Sequence, residues 1–401
     1  MIELRIGLQS LFYHWKIFRK GKLFMVLSVK QQTAAFPTVD ISSSPKVNRP
    51  TAIRYWLHFL YRFYFVGRQK HGPYGPPRCA EKTKKIEERI KAQSIPYGDA
   101  PTLPIPELTI DKISAKQFQE VYVKRNTPVI LRGAAKNWEA VKTWTPDFFG
   151  TEYGDEIVSA RIRASELNEE ALLYLDITLS EVLENIKQGG TYFPGHTEDL
   201  FNRNPSLRDA LDLKTLGEYL SIRQKRIMST QLFLSGGGVR SWFHATCGPN
   251  LFTMVYGRKE WTLVHPQHSL WMHPITRKDM FYNGTMIDWK KTNDEIEADG
   301  YPLYRYIPKF SATLEPGDIL FSPQWWWHCV DTPEPSIGIA SRAINDMFIG
   351  HELFSLMWVT SNRFRQTVWT CFKNGWGSDA ATGAKLAFEF DQKEFVRRLS
   401  V

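Results

Sequence analysis

The chain has 401 residues, 43% hydrophobic and 14% aromatic, which excludes a disordered polymer and leaves ample material for a core. Its formal net charge of +9 is unevenly placed: residues 1–100 hold 18 Lys and Arg against 6 Asp and Glu, and the remainder holds 33 against 36. The basic character therefore belongs to an N-terminal extension, and the nearly neutral body is not expected to carry a nucleic-acid groove.

Residues 1–36 are cationic and aromatic, with Glu3 as their only carboxylate. Such a start suits an organelle-targeting segment, although it lacks serine richness and a small-residue cleavage site. Residues 37–51 have the Pro and Ser content of a linker. The most apolar run follows at 52–67, AIRYWLHFLYRFYFVG, where Arg54, His58 and Arg62 recur every four residues and form one polar stripe on a helix. The run is shorter than the roughly twenty residues that span a bilayer. It reads as an interfacial helix with its Trp, Tyr and Phe side on a membrane surface; the alternatives are packing on the body or a short spanning anchor. After a turn-rich tether, Glu81 to Gln93 reads as a charged, exposed helix.

The extension, residues 1–102, ends where Pro104 leads into a strand. Residues 103–230 form the first part of the folded body. Ser114 is placed to cap an amphipathic helix, AKQFQEVYVKR, and Val129 to Leu131 reads as a buried strand. Residues 167–188 are predicted mostly helical, with Ser180 as a cap and Gly189-Gly190 as the stop. A new strand begins at Thr191-Tyr192-Phe193.

Residues 231–345 carry the chemistry. Gly236-Gly237-Gly238 reads as a flexible hairpin and matches no phosphate-loop pattern. Ser241 to Trp261, SWFHATCGPNLFTMVYGRKEW, reads as two short strands joined by a Gly-Pro turn. Strand alternation puts His244 and Thr246 on one face. Eighty-four residues after His244, the segment GDILFSPQWWWHCV ends its aromatic run at His328. Two histidines beside β-rich segments are what a barrel needs to aim two imidazoles at one metal. In the facial triad of non-haem iron sites a carboxylate completes the set. Here its place holds Thr246. The plain alternative is that both are ordinary barrel histidines.

His244, Asn250, the Gly257-Arg258-Lys259-Glu260-Trp261 segment and Pro323 to His328 resemble the JmjC and cupin-like Fe(II)/2-oxoglutarate oxygenases, in particular their protein-hydroxylase branch. Thr127 to Phe149 resembles the family's entry segment, so the likeness covers about residues 105–360. It implies a mainly β fold with flanking helices, a double-stranded β-helix or jelly-roll barrel. It also implies Fe(II) held by His244, His328 and the Thr246 position, with 2-oxoglutarate as cosubstrate. The distal carboxylate of 2-oxoglutarate would meet Lys259, and Ser241, Asn250 and Tyr192 are its candidate hydrogen-bond partners. Trp326 and Trp327 would keep water from the iron.

Because a threonine hydroxyl is a weak, neutral ligand, three outcomes are expected. The site turns over as it stands or with a carboxylate borrowed from Asp331, it is a catalytically inactive binding scaffold, or a halide fills the open position in a halogenase-like centre. The substrate implied is a protein side chain, with hydroxylation favoured over demethylation because no histone-reading module accompanies the barrel.

Four cysteines, Cys79, Cys247, Cys329 and Cys371, show no CxxC or zinc spacing, as suits a reducing intracellular compartment. Cys247 and Cys329 read as buried thiols, or as thiols open to oxidation beside a metal. His265, His268 and His273 fall among prolines at irregular spacing and read as a loop. Residues 276–309 are a candidate substrate-covering insertion, and IGIASRAI within 335–344 supplies the last barrel strand. Residues 346–401 are expected to be helical, closing the fold or forming a homodimer contact.

Overall fold

Alternation of inward and outward side chains along the strands sets two sheets face to face, each with a helical layer on its outer side. The computed structural model describes residues 36–62, 77–163, 172–190, 193–195, 197–222, 225, 227, 229–276, 282–343, 351 and 354. The architecture below belongs to the unit Val39–Val401. Along the chain the strands are β1 Thr102–Pro104, β2 Glu107–Leu108, β3 Val129–Leu131, β4 Ile157–Arg163, β5 Leu172–Thr178 and β6 Phe193–Gly195. They continue with β7 Ser229–Ser235, β8 Val239–Arg240, β9 His244–Thr246, β10 Asn250–Tyr256, β11 Lys259–Val264 and β12 Ile275–Thr276. The last five are β13 Tyr282–Gly284, β14 Lys309–Leu314, β15 Ile319–Ser322, β16 Trp327–Thr332 and β17 Ser336–Arg342.

One sheet runs β1-β14-β11-β16-β9-β13-β12, with β8 also on β16; the second runs β2-β3-β15-β10-β17-β7. Between them lie Phe252 and Met254 of β10, Trp261 and Leu263 of β11, Phe310, Leu320 and Trp326. Each such side chain contributes roughly 1.5–3 kcal/mol when fully buried. The pattern is the jelly roll the sequence implied. A third small sheet, β5-β4-β6, flanks the second.

Several local expectations change. The glycines at 236–238 do not turn a hairpin: β7 pairs with β17 in one sheet and β8 with β16 in the other, so the chain crosses between sheets there. The Cys247-Gly248-Pro249 turn does the same between β9 and β10. Residues 172–178 form strand β5, where Leu173, Leu175 and Ile177 alternate with Tyr174 and Asp176 at strand period. The helix Leu179–Lys187 is capped by Thr178 in a capping box with Glu181, so Ser180 lies inside it. Ser114 does cap its helix, Ala115–Phe118, through a box with Gln117. The 276–309 insertion is largely structured: β13 extends the first sheet, and Ile287, Ile296, Leu303 and Ile307 are buried.

The N-terminal segments pack on the barrel. Helix α1, Arg49–Tyr61, starts where Asn48 accepts from the Thr51 N–H and Pro50 occupies the first turn. Helix α2 is Pro77–Ser94, with Thr83, Ile86, Glu87 and Ile90 buried along one face rather than the whole helix exposed. Tyr55, Trp56 and Phe59 of α1 pack with Ile86, Ile90, Trp271 and Trp325 against the outer side of the first sheet. That aromatic side therefore faces protein, not lipid. The polar stripe is broken too, since His58 is buried against the Thr83 hydroxyl at 3.0 Å. Among the described residues no helix is long and apolar enough to cross a membrane. Of residues 346–401 only His351 and Phe354 are described, so the expected C-terminal helices and homodimer contact lie outside the described residues.

Candidate metal and cosubstrate site

β9 and β16 are antiparallel neighbours in which His244 stands directly opposite His328. Their ring centroids are 4.1 Å apart with planes inclined at 56°. Two imidazoles bound to one ion through Nε2 at about 2.1 Å have ring centres roughly 4–5 Å apart. His244 Nδ1 lies 2.9 Å from the Trp242 carbonyl and His328 Nδ1 lies 3.1 Å from that of Trp326. A carbonyl only accepts, so each Nδ1 carries the proton and each Nε2 keeps its lone pair for a ligand. Burial, and then the nearby His244, hold His328 well below the usual imidazole value. Trp261 stacks on His328, 5.5 Å between centroids and 25° between planes.

The turn that delivers His328 is held under strain. Trp325 has φ +65°, a left-handed conformation costly for a bulky side chain, and it is fully buried. Its N–H donates to the Thr246 carbonyl at 2.7 Å, linking the turn to β9. Asn126, also left-handed at φ +54°, donates from Nδ2 to the Gln324 carbonyl at 2.9 Å. The Asn126 carbonyl in turn accepts from Trp326 Nε1 at 2.7 Å. The two tryptophans before His328 part company: Trp326 enters the barrel interior, whereas Trp327 turns outward and donates to Ser269 Oγ at 3.0 Å. Only Trp326 can shield the interior.

Gly257, at φ +67°, makes the turn from β10 into β11, and a Cβ there would meet the Pro335 carbonyl oxygen at 2.2 Å. That turn sets Lys259 at the start of β11, facing inward with Trp261 and Leu263, and Leu263 stands opposite His328. Lys259 is 3% exposed. Its Nζ donates to Ser235 Oγ and Thr332 Oγ1, both at 3.0 Å. Both partners are neutral, and burial pushes the ammonium down to about 7. A buried ammonium facing hydroxyls alone costs several kcal/mol relative to water, a penalty that a carboxylate ligand offsets. Ser235 and Thr332 were not among the candidates from sequence. The signal was present, since Thr332 lies four residues after His328 on the same strand face.

Asn250 opens β10 on the interior side, two residues before Phe252, and its Oδ1 is buried without a hydrogen-bond partner among the described residues. Ser241 Oγ accepts from the Val330 N–H at 2.9 Å, which fastens the chain to β16 and leaves the hydroxyl proton to donate. Thr246 Oγ1 reaches the Gly248 carbonyl only at 3.4 Å. Asp331 does not come to the site: three residues from His328 on β16, it faces away and pairs with Lys290. Tyr192 lies outside the described residues. Arg342 is a further cation on the interior side, opposite Asn250 in register and 3.0 Å from Gln231 Oε1.

The other candidates separate from the centre. His268 meets Ser44 Oγ at 3.1 Å, and His273 Nε2 lies 3.0 Å from Glu87 Oε1, so these two join the N-terminal segments to the barrel, while the His265 ring lies edge-on to Trp326 at 5.0 Å. Cys329 is buried on the outer face, and burial raises its thiol well above the usual value, so it is a packing residue. Among the described residues no group of three or more His, Cys, Asp or Glu could hold a metal. The groups on hand there are the imidazoles of His244 and His328, with the Thr246 hydroxyl on the same strand face as His244.

The cupin-like domain family matches residues 115–344, more than half of the chain. The chain belongs to the JmjC/cupin-like family. Its relatives include tRNA wybutosine-synthesizing protein 5 of Mus musculus, 22% identical over 253 residues, covering 59% of this chain and 76% of the relative. Lysine-specific demethylase 8 of Xenopus tropicalis is 21% identical over 282 residues, covering 68% of this chain and 59% of the relative. Jumonji C domain-containing protein 5 of Drosophila melanogaster is 24% identical over 247 residues, covering 59% of each. Within this JmjC-like barrel the spacing and tautomers of the histidine pair fit a shared ion. The buried Lys259 fits one end of a dicarboxylate.

Proposed function

We propose that this JmjC-like chain is an Fe(II)- and 2-oxoglutarate-dependent oxygenase that hydroxylates a protein side chain. The observation that carries the reading is the buried Lys259, partnered among the described residues by the hydroxyls of Ser235 and Thr332, on the strand that places Leu263 opposite His328. His244 and His328 would hold the ion through Nε2, and Lys259 with the two hydroxyls would hold the far carboxylate of the cosubstrate. Iron and 2-oxoglutarate bound there supply the oxidising power, with oxygen consumed and succinate and carbon dioxide released. The chain's own residues do the rest. The carbonyls of Trp242 and Trp326 fix both imidazole tautomers, Trp261 fixes the plane of His328, and Trp326 excludes water from the interior.

The test is succinate release by purified protein given Fe(II), 2-oxoglutarate and oxygen, with His244→Ala abolishing it. A second reading, a binding scaffold without turnover, is favoured by one specific feature, the Thr246 hydroxyl where an oxygenase triad has its carboxylate. Metal and 2-oxoglutarate binding with no succinate under any condition would support it and sink the first.

A further inference from the structure

We propose that the outward face of α1 docks the protein on an anionic phospholipid membrane. The inner face of the helix is committed to protein: Tyr55 donates to Glu87 Oε1 at 2.5 Å and His58 is buried against Thr83. What remains outward is an apolar row at four-residue spacing, Ile53, Leu57 and Tyr61, which are 47%, 61% and 52% exposed. On a helix such a row lies along one face at about 6 Å intervals. Arg49 and Arg54 on α1 and Lys82 on α2 line the same shallow depression, and all three are exposed. The first turn of α1 contains no acidic residue, and Glu81, next to Lys82 on α2, is paired with Lys85 at 2.6 Å.

Size decides between a lipid and a protein occupant. Three apolar side chains fall well short of the roughly 800 Å² that each partner contributes to a stable protein interface. They suffice for shallow insertion when cations add attraction to anionic headgroups. In sequence, residues 1–100 carry the same sign of charge, with 18 basic against 6 acidic residues. This surface is not the side that carries Tyr55, Trp56 and Phe59. That side is spent on the barrel, which holds α1 firmly enough to present the other.

The experiment is flotation of the full chain with vesicles of phosphatidylcholine alone and with about one-third phosphatidylserine. Expected are binding to the anionic vesicles only, loss of binding at high salt, and at least a roughly tenfold weaker partition for Ile53→Ser/Leu57→Ser and for Arg49→Gln/Arg54→Gln. All four positions are exposed, and near-ultraviolet circular dichroism confirms that each variant is folded. Equal binding to both vesicle types, no flotation, or flotation unchanged by either double substitution overturns the proposal. So does a concentration-dependent dimer that Leu57→Ser dissolves, which would assign the face to a second copy of the chain.

Discussion

Lys259 titrates in a way that can be read directly. With its folded value pushed down to about 7 against about 10.4 in the unfolded chain, the folded protein sheds this proton first. Stability of the ligand-free protein should therefore rise with pH between about 7 and 10, to the extent that this group contributes. A dicarboxylate that holds the ammonium acts in the opposite sense. Its binding at pH 8 should take up close to one proton and weaken as pH rises further, which calorimetry in two buffers of different ionisation enthalpy measures. Lys259→Met should abolish the proton uptake and weaken 2-oxoglutarate binding by about tenfold or more. Thr246→Asp should tighten Fe(II) or Co(II) binding, because it adds an anionic donor on the strand face that carries His244. Calorimetry showing weaker binding would place Thr246 outside the coordination sphere.

At the scale of elements, aim depends on the turn at 323–326, whose strain at Trp325 is tolerated because Asn126 and the Thr246 carbonyl grip it from two sides. Asn126→Ala removes the Nδ2 bond to Gln324 and a residue suited to the left-handed region. A loss of about 1–3 kcal/mol in stability is expected, together with weaker metal binding, read by denaturant melts and metal titration on the same protein. What sequence disclosed at this scale follows a physical line. Strand alternation placed His244 with Thr246, since period two is local. Sheet membership was not visible. The crossings at 236–238 and 247–249 look like hairpins until the partners β17 and β16 are known. Asp331, offered as a borrowed carboxylate, is turned away by strand parity, a local rule, and pairs with Lys290.

For the molecule as a whole, the N-terminal helices are part of the fold. Tyr55, Glu87 and His273 form a buried polar contact that joins α1, α2 and the 265–273 loop. Glu87→Ala should destabilise the protein by roughly 1–3 kcal/mol, because it removes a buried carboxylate that meets both the Tyr55 phenol and the His273 imidazole; a thermal melt tests this. An amphipathic run in sequence declares that one side is apolar but not what meets it. That is why the run read as lipid-facing on its aromatic side, whereas Tyr55, Trp56 and Phe59 pack on the barrel. The jelly roll itself was legible through the motifs around His244, Lys259 and His328, whereas the packing of helices on its outer sides was not.

The joint between β9 and β16 is a single rung, the His244–His328 pair, at the end of a three-residue strand. A ladder so short supplies little cohesion of its own, so an ion gripped by both rings would act as a rivet across the seam. Loading the protein with Co(II) should then slow amide hydrogen exchange at Ala245 and Thr246 far more than in the β10–β17 ladder. The rim of the barrel would be loose when empty and would stiffen as its cargo arrives.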